Sequence, residues 1–106
     1  MAKSDDALDS LREALRLSPE NVPLRQHLAE TLLAKGLLEE AEQEFRKALA
    51  QAPHNIGLKL GLARAFYQQH KDSAGLVVIE DLVKGRDVSG EAYLLHCRLL
   101  LRHGDV

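Results

Sequence analysis

Five histidines and one cysteine are the side chains of this 106-residue chain best suited to catalysis or metal binding. His27, His54, His70, His96 and His103 are scattered, and only His96 and His103 fall on one helical face, with Cys97 off it. A zinc or transition-metal site gathers three or four ligands, commonly announced by His-x-x-x-His or Cys-x-x-Cys, and neither spacing occurs. A nucleophilic serine or cysteine needs a neighbouring base and a pocket to hold both. The serines here are better placed as helix caps or surface residues. Gly57 and Gly61 form a Gly-x-x-x-Gly on an expected helix, a pattern that makes room for a close neighbour and lacks the loop that cradles a phosphate. No catalytic residue, metal ligand or cofactor is assigned on these grounds.

Composition narrows the classes further. Apolar residues make up 45% and charged residues 28%, the balance of a globular domain of ordinary size. No run approaches the length of a membrane-spanning helix. The formal charge is −2, with ten acids and seven bases over residues 1–53 and six acids and seven bases over 54–106. Bases interleaved with acids make no phosphate-binding face, and 4% aromatic residues leave few platforms for stacking bases, so nucleic acid is not the expected partner. Met1 to Asp6 are too polar for the centre of a secretory signal, and the lone Cys97 cannot form an internal disulfide; both fit a cytoplasmic protein.

The elements that must position any site are marked by a period. Pro19 and Pro53 lie 34 residues apart, and the same offset matches Ala7 with Ala41, Leu11 with Phe45, Arg12 with Arg46, Ala14 with Ala48, Leu15 with Leu49 and Asn21 with Asn55. It continues through Leu24 and Leu58, Leu28 and Leu62, then the small series Ala29, Ala63, Cys97, the large series Leu32, Phe66, Leu100, and Gly36, His70, Gly104. Such a register, kept without an insertion, is the mark of an internal repeat. Within each period the apolar spacing is helical, as in Leu24, Leu28, Leu32 and in Ala41, Phe45, Ala48, Leu49. Asn21, Asn55, Ser4 and Ser89 suit helix starts, Gly36 and Gly104 suit helix ends, and Pro19 and Pro53 stop the helices before them. The pattern predicts six helices over residues 4–17, 22–35, 38–51, 56–69, 72–84 and 90–103.

A helix pair of this length resembles the tetratricopeptide repeat, through Leu28, Ala29, Leu32, Gly36, Ala41, Phe45, Ala48 and Pro53 and more loosely through Leu62, Ala63, Phe66, Gly75, Ile79 and Leu82. The second copy departs from the pattern: His70 replaces the turn glycine, Gly75 and Leu82 replace alanines, and Asp87 stands in place of the proline. Leu76 to Ile79 are strand-like taken alone, but no partner strand exists elsewhere to pair them. The resemblance implies an all-α, right-handed superhelix of six helices, two full repeats and two half repeats, forming a single domain over 1–106. Ala29 and Ala63 are expected to face Ala41, Ala48 and Gly75 so that helices approach to about 8–10 Å. Cys97, in the same slot, is read as a small packing residue. Glu39, Glu40, Glu42 and Glu44 are read as a solvated run favouring the start of their helix, with Asp5, Asp6 and Asp9 alike.

In that family the first helices of successive pairs line a groove for an extended peptide or a helix. Helix geometry assigns to it Gln26, Glu30 and Leu33, then Leu60, Arg64 and Tyr67, then Leu94, Arg98 and Leu101. Arg64 and Arg98 match at one repeat spacing, and two guanidiniums flanked by leucines and a tyrosine could hold a carboxylate-bearing peptide. Gly57 and Gly61 are expected to leave the groove floor bare. Gln26 and Glu30 stand where chaperone-tail binders of the family carry lysines and asparagines, which disfavours that ligand. The expected function is non-catalytic protein binding; the alternative is an oligomerisation or substrate-recruiting arm of a larger enzyme such as an ATPase. Both terminal helices lack a mate, so the chain is expected to continue past Val106, and leucine-rich 94–101 invites self-association.

Overall fold

A computed structural model describes residues 3–86 and 88–104, with side chains from Asp6 onward. It places α1 at Lys3–Leu17, α2 at Val22–Ala34, α3 at Leu38–Gln51, α4 at Ile56–Gln68, α5 at Asp72–Val83 and α6 at Gly90–Gly104, with no strand among the described residues. The expected helices are all present. Asp87 and the side chain of Ser4 lie outside the described residues.

Local chemistry explains the boundaries. The Asn21 side chain accepts from the Leu24 amide at 3.1 Å, Asn55 from Leu58 at 3.0 Å, and the Ser89 hydroxyl from Ala92 at 3.2 Å, so three helices start on a side-chain cap. At the end of α2, Gly36 takes φ +81°, the Leu37 amide donates to Leu32 at 2.9 Å and the Gly36 amide to Leu33 at 3.1 Å. This left-handed turn satisfies the last carbonyls of the helix. One repeat later His70 makes the same turn at φ 61°, with the Lys71 amide donating to Phe66 at 2.9 Å. A Cβ is strained in that conformation. His70→Gly is therefore expected to raise stability by about 0.5–1 kcal/mol, after the extra freedom of glycine in the unfolded chain is deducted. Thermal unfolding measures it, and a lower melting temperature would contradict the account.

The helices stack in chain order, each against the next, and the first helices α2, α4 and α6 also touch one another in sequence. The backbones of the second helices α3 and α5 stand farther apart, and Leu49 of α3 lines an open cavity with Val77 and Val78 of α5. A row in contact on one side and splayed on the other must curve, so α2, α4 and α6 form the inner row. The array measures 42 × 30 × 19 Å.

Alanine makes the close approach possible: Ala29, Ala41, Ala48 and Ala63 are all fully buried. A cluster around Leu28, Leu32, Phe45, Leu58 and Phe66 fills the first part of the array, and one around Ala63, Ile79, Leu95 and Leu99 fills the second. Leu76 and Ile79 are buried and Val77 is exposed on α5, so the strand-like run is helical because its neighbours supply a helical environment.

Two expectations about packing need correction. Gly61 does not floor a groove: a Cβ there would stand 2.3 Å from Cε1 of the Phe45 ring, so the missing side chain is what admits α3. Only Gly57 is exposed, beside the Gln26 side chain. Cys97 is exposed rather than packed. The faces of α2 and α4 that carry Ala29 and Ala63 are covered by the helix that follows each, and among the described residues no helix follows α6.

Candidate functional site

Four of the nine expected groove residues converge. Arg64 and Tyr67 of α4 and Leu94 and Arg98 of α6 line one cavity of about 200 Å³, together with Gln68, Glu91 and Leu95. The two arginines lie one repeat apart on adjacent inner helices, which is why the repeat brings them to the same side. Their states differ. Arg64 donates to the carboxylate of Glu91, in the first turn of α6. Arg98 is exposed, lines the cavity and makes no ion pair among the described residues.

The Tyr67 ring is held by a cation: the Arg102 guanidinium lies 4.0 Å from its centroid. Arg102 also donates to both oxygens of Asp72, at 2.9 Å for the nearer Nε contact, and to the Tyr67 carbonyl at 2.7 Å. One side chain thus ties α6 to the end of α4 and the start of α5. The hydrogen bond from Arg102 holds the Asp72 carboxyl below the usual carboxylate range.

The other five candidates do not join the cavity. Gln26 donates to Glu30 at 3.0 Å, one turn away on α2. Leu33 and Leu60 are partly buried against the two core clusters. Leu101 projects outward, 68% exposed. Glu91, Gln68 and Leu95 were not foreseen. In the repeat register Glu91 falls on Gly57, which carries no side chain, so a search by period could not find it; the acidic first turn of a helix was its one local mark.

The acidic run on α3 is also different from expectation. Glu39 is exposed, but Glu40 accepts from Arg12 of α1 at 2.9 Å and 3.0 Å, and Glu42 and Glu44 are buried. Glu44 accepts from Arg25 of α2 at 2.7 Å. Glu42 accepts from Arg46 at 2.9 Å, from Gln69 at 2.9 Å and from Lys71 at 3.1 Å. Burial opposes the charge on Glu42, yet the hydrogen bonds from Gln69, Lys71 and Arg46 together outweigh it and hold the carboxyl below its ordinary value. These carboxylates fasten helix to helix and are not available to a ligand.

Elsewhere, an open depression of about 630 Å³ lies at the turns around Gly36, Leu38 and Lys71, and its Gln69 and Lys71 are already spent on Glu42. His96 lies 3.8 Å from Glu80, and among the described residues no three His, Cys, Asp or Glu side chains gather as metal ligands. No described helix is long and apolar enough to cross a membrane.

Comparison with known proteins agrees with this geometry. A family model described as tetratricopeptide repeat matches residues 3–46 and 38–96. Over 57 aligned positions, which cover 51% of the chain, the sequence is 40% identical to a protein named hemophilin secretion modulator from Acinetobacter baumannii. The match spans only 12% of that relative's length.

Proposed function

This chain belongs to the tetratricopeptide repeat family, and from that premise we propose that it acts as a non-catalytic scaffold whose inner helices capture a carboxylate-bearing peptide or helix of another protein. The observation that carries the reading is Arg98, an exposed guanidinium with no ion-pair partner among the described residues, beside Tyr67 and Leu94 in a cavity between two inner helices. Arg binds carboxylate through two parallel N–H donors, and an aromatic ring next to it adds rigid contact area. Glu91 already places a carboxylate on Arg64, which supports the same chemistry for an incoming acid. A ligand then has two routes: it meets Arg98 directly, or it replaces Glu91 on Arg64.

The relative's name concerns secretion of hemophilin. What we carry to this chain is the capture of a protein segment, with the segment's identity set by its own chemistry. We place that activity in the cytoplasm, where exposed Cys97 would stay reduced; cell fractionation tests the location.

Fluorescence anisotropy with labelled acidic peptides, against the same peptides amidated at their carboxylates, tests the binding. Arg98→Ala is expected to weaken the acidic set about tenfold, and Arg64→Ala with Arg98→Ala further, with helicity unchanged. Glu91→Gln is expected to strengthen binding severalfold, because it releases Arg64. Equal affinity for acidic and amidated peptides, or no loss in the double variant, would remove the proposal.

A further inference from the structure

The face of α6 that carries Cys97 and Leu100 is bare among the described residues. Leu100 is 48% exposed, whereas its repeat equivalents Leu32 and Phe66 are 0% and 3% exposed. Cys97 is exposed where Ala29 and Ala63 are buried. In the two complete pairs that face is covered by a second helix, whose matching residues are Ala41, Phe45 and Ala48 in α3 and Gly75, Ile79 and Leu82 in α5, all buried.

The chain carries a third helix of that second type. In the repeat register α1 offers Ala7, Leu11 and Ala14 at the same three positions. Ala7 and Ala14 are exposed and Leu11 is half-buried, so this face of α1 has no first helix against it among the described residues. The described residues therefore present, on α1 and on α6, the two halves of an interface that is built twice within the array.

We propose that α1 of a second copy docks on α6, antiparallel, as α5 docks on α4, so that copies join head to tail. Antiparallel docking lays the exposed Asp6 and Asp9 of α1 toward the last turn of α6, where His103 is exposed and Arg102 is already paired with Asp72. The two surfaces differ, so the contact is heterologous: it extends from copy to copy instead of closing on a two-fold dimer. The inner row of first helices then runs on from α6 into the next copy's α2. This association uses none of the groove side chains and stands or falls separately from the ligand reading.

Internal geometry sets the test. A Cβ on Gly75 would lie 3.5 Å from the Phe66 Cβ, within the Cβ separation of a disulfide. The repeat equivalents are Ala7 and Leu100. In a Cys97→Ser background, Ala7→Cys and Leu100→Cys proteins are prepared singly, mixed and gently oxidised; both positions are exposed, and circular dichroism checks the fold. The expected product is the mixed disulfide between the two variants, and the double variant should give a reducible ladder. Self-linked Leu100→Cys as the main product would overturn the proposal in favour of a symmetric α6 contact. Absence of any cross-link, with sedimentation velocity showing a monomer at every concentration, would overturn it outright. In the otherwise unchanged chain, Leu100→Glu should abolish concentration-dependent sedimentation while leaving peptide affinity as it was; persisting association would also sink the idea.

Discussion

Gly61→Ala is expected to lower the unfolding free energy by about 2–3 kcal/mol, although it adds one methyl group to a helix, where alanine is normally the better residue. The added Cβ would lie 2.3 Å and 2.4 Å from two atoms of the Phe45 ring. Phe45 is fully buried in the main cluster, so the ring has no free space into which to turn. Relief requires α3 and α4 to separate, and close-packed interiors resist that. Urea denaturation measures the loss. Phe45→Leu in the Gly61→Ala background should recover part of it, since the smaller side chain vacates the contested space, whereas the two changes would add if they acted independently. A Gly61→Ala protein as stable as the parent would show that the α3–α4 contact is looser than described.

Arg25→Ala should be costlier, about 3–5 kcal/mol, because it strands Glu44. Both side chains of that pair are only 11% exposed, and their 2.7 Å bond joins the two helices of the first full repeat. The remaining cation near Glu44 is Lys47, at 3.8 Å and largely in solvent. A carboxylate left in that setting loses hydration without recovering it from a partner. Replacing both members with apolar residues of similar size, Arg25→Met with Glu44→Leu, should return stability to within about 1 kcal/mol of the parent, because desolvation and attraction nearly cancel in a buried pair. Chemical denaturation of the three proteins decides it. A small loss in Arg25→Ala would mean that water reaches Glu44.

The two glutamates also show where the sequence was opaque. Capping residues, turn glycines and apolar spacing act within a few positions of themselves, so Asn21, Asn55, Ser89 and Gly36 could be read directly and the helix limits followed. The register carried that reading further, to the stacking of α2 with α4 and α4 with α6, and so to Arg64 and Arg98 on one side. Glu42 and Glu44 sit in a run of acids that looks like a wetted surface, and their partners Arg25, Gln69 and Lys71 belong to other segments. Gly61 resembled an open floor because its occupant, the Phe45 ring, comes from the preceding helix. Cys97 matched two buried alanines by position, but burial is conferred by what lies across the interface, which spacing along one strand of text does not contain. Glu91 broke the repeat, and its contact with Arg64 was invisible for that reason.

The splay of α3 from α5 has a mechanical consequence. The backbones of the outer helices α3 and α5 are not in contact, and that edge is tied from repeat to repeat by side-chain bonds, Arg12 to Glu40 and Lys71 to Glu42, so the array bends by fanning the outer edge against those bonds, much as a book opens about its spine. Such bending widens or narrows the trough while preserving each helix, and a guest spanning Arg64 and Arg98 would clamp the spine and stiffen the whole stack. Recognition and elasticity are therefore two properties of the same row of helices.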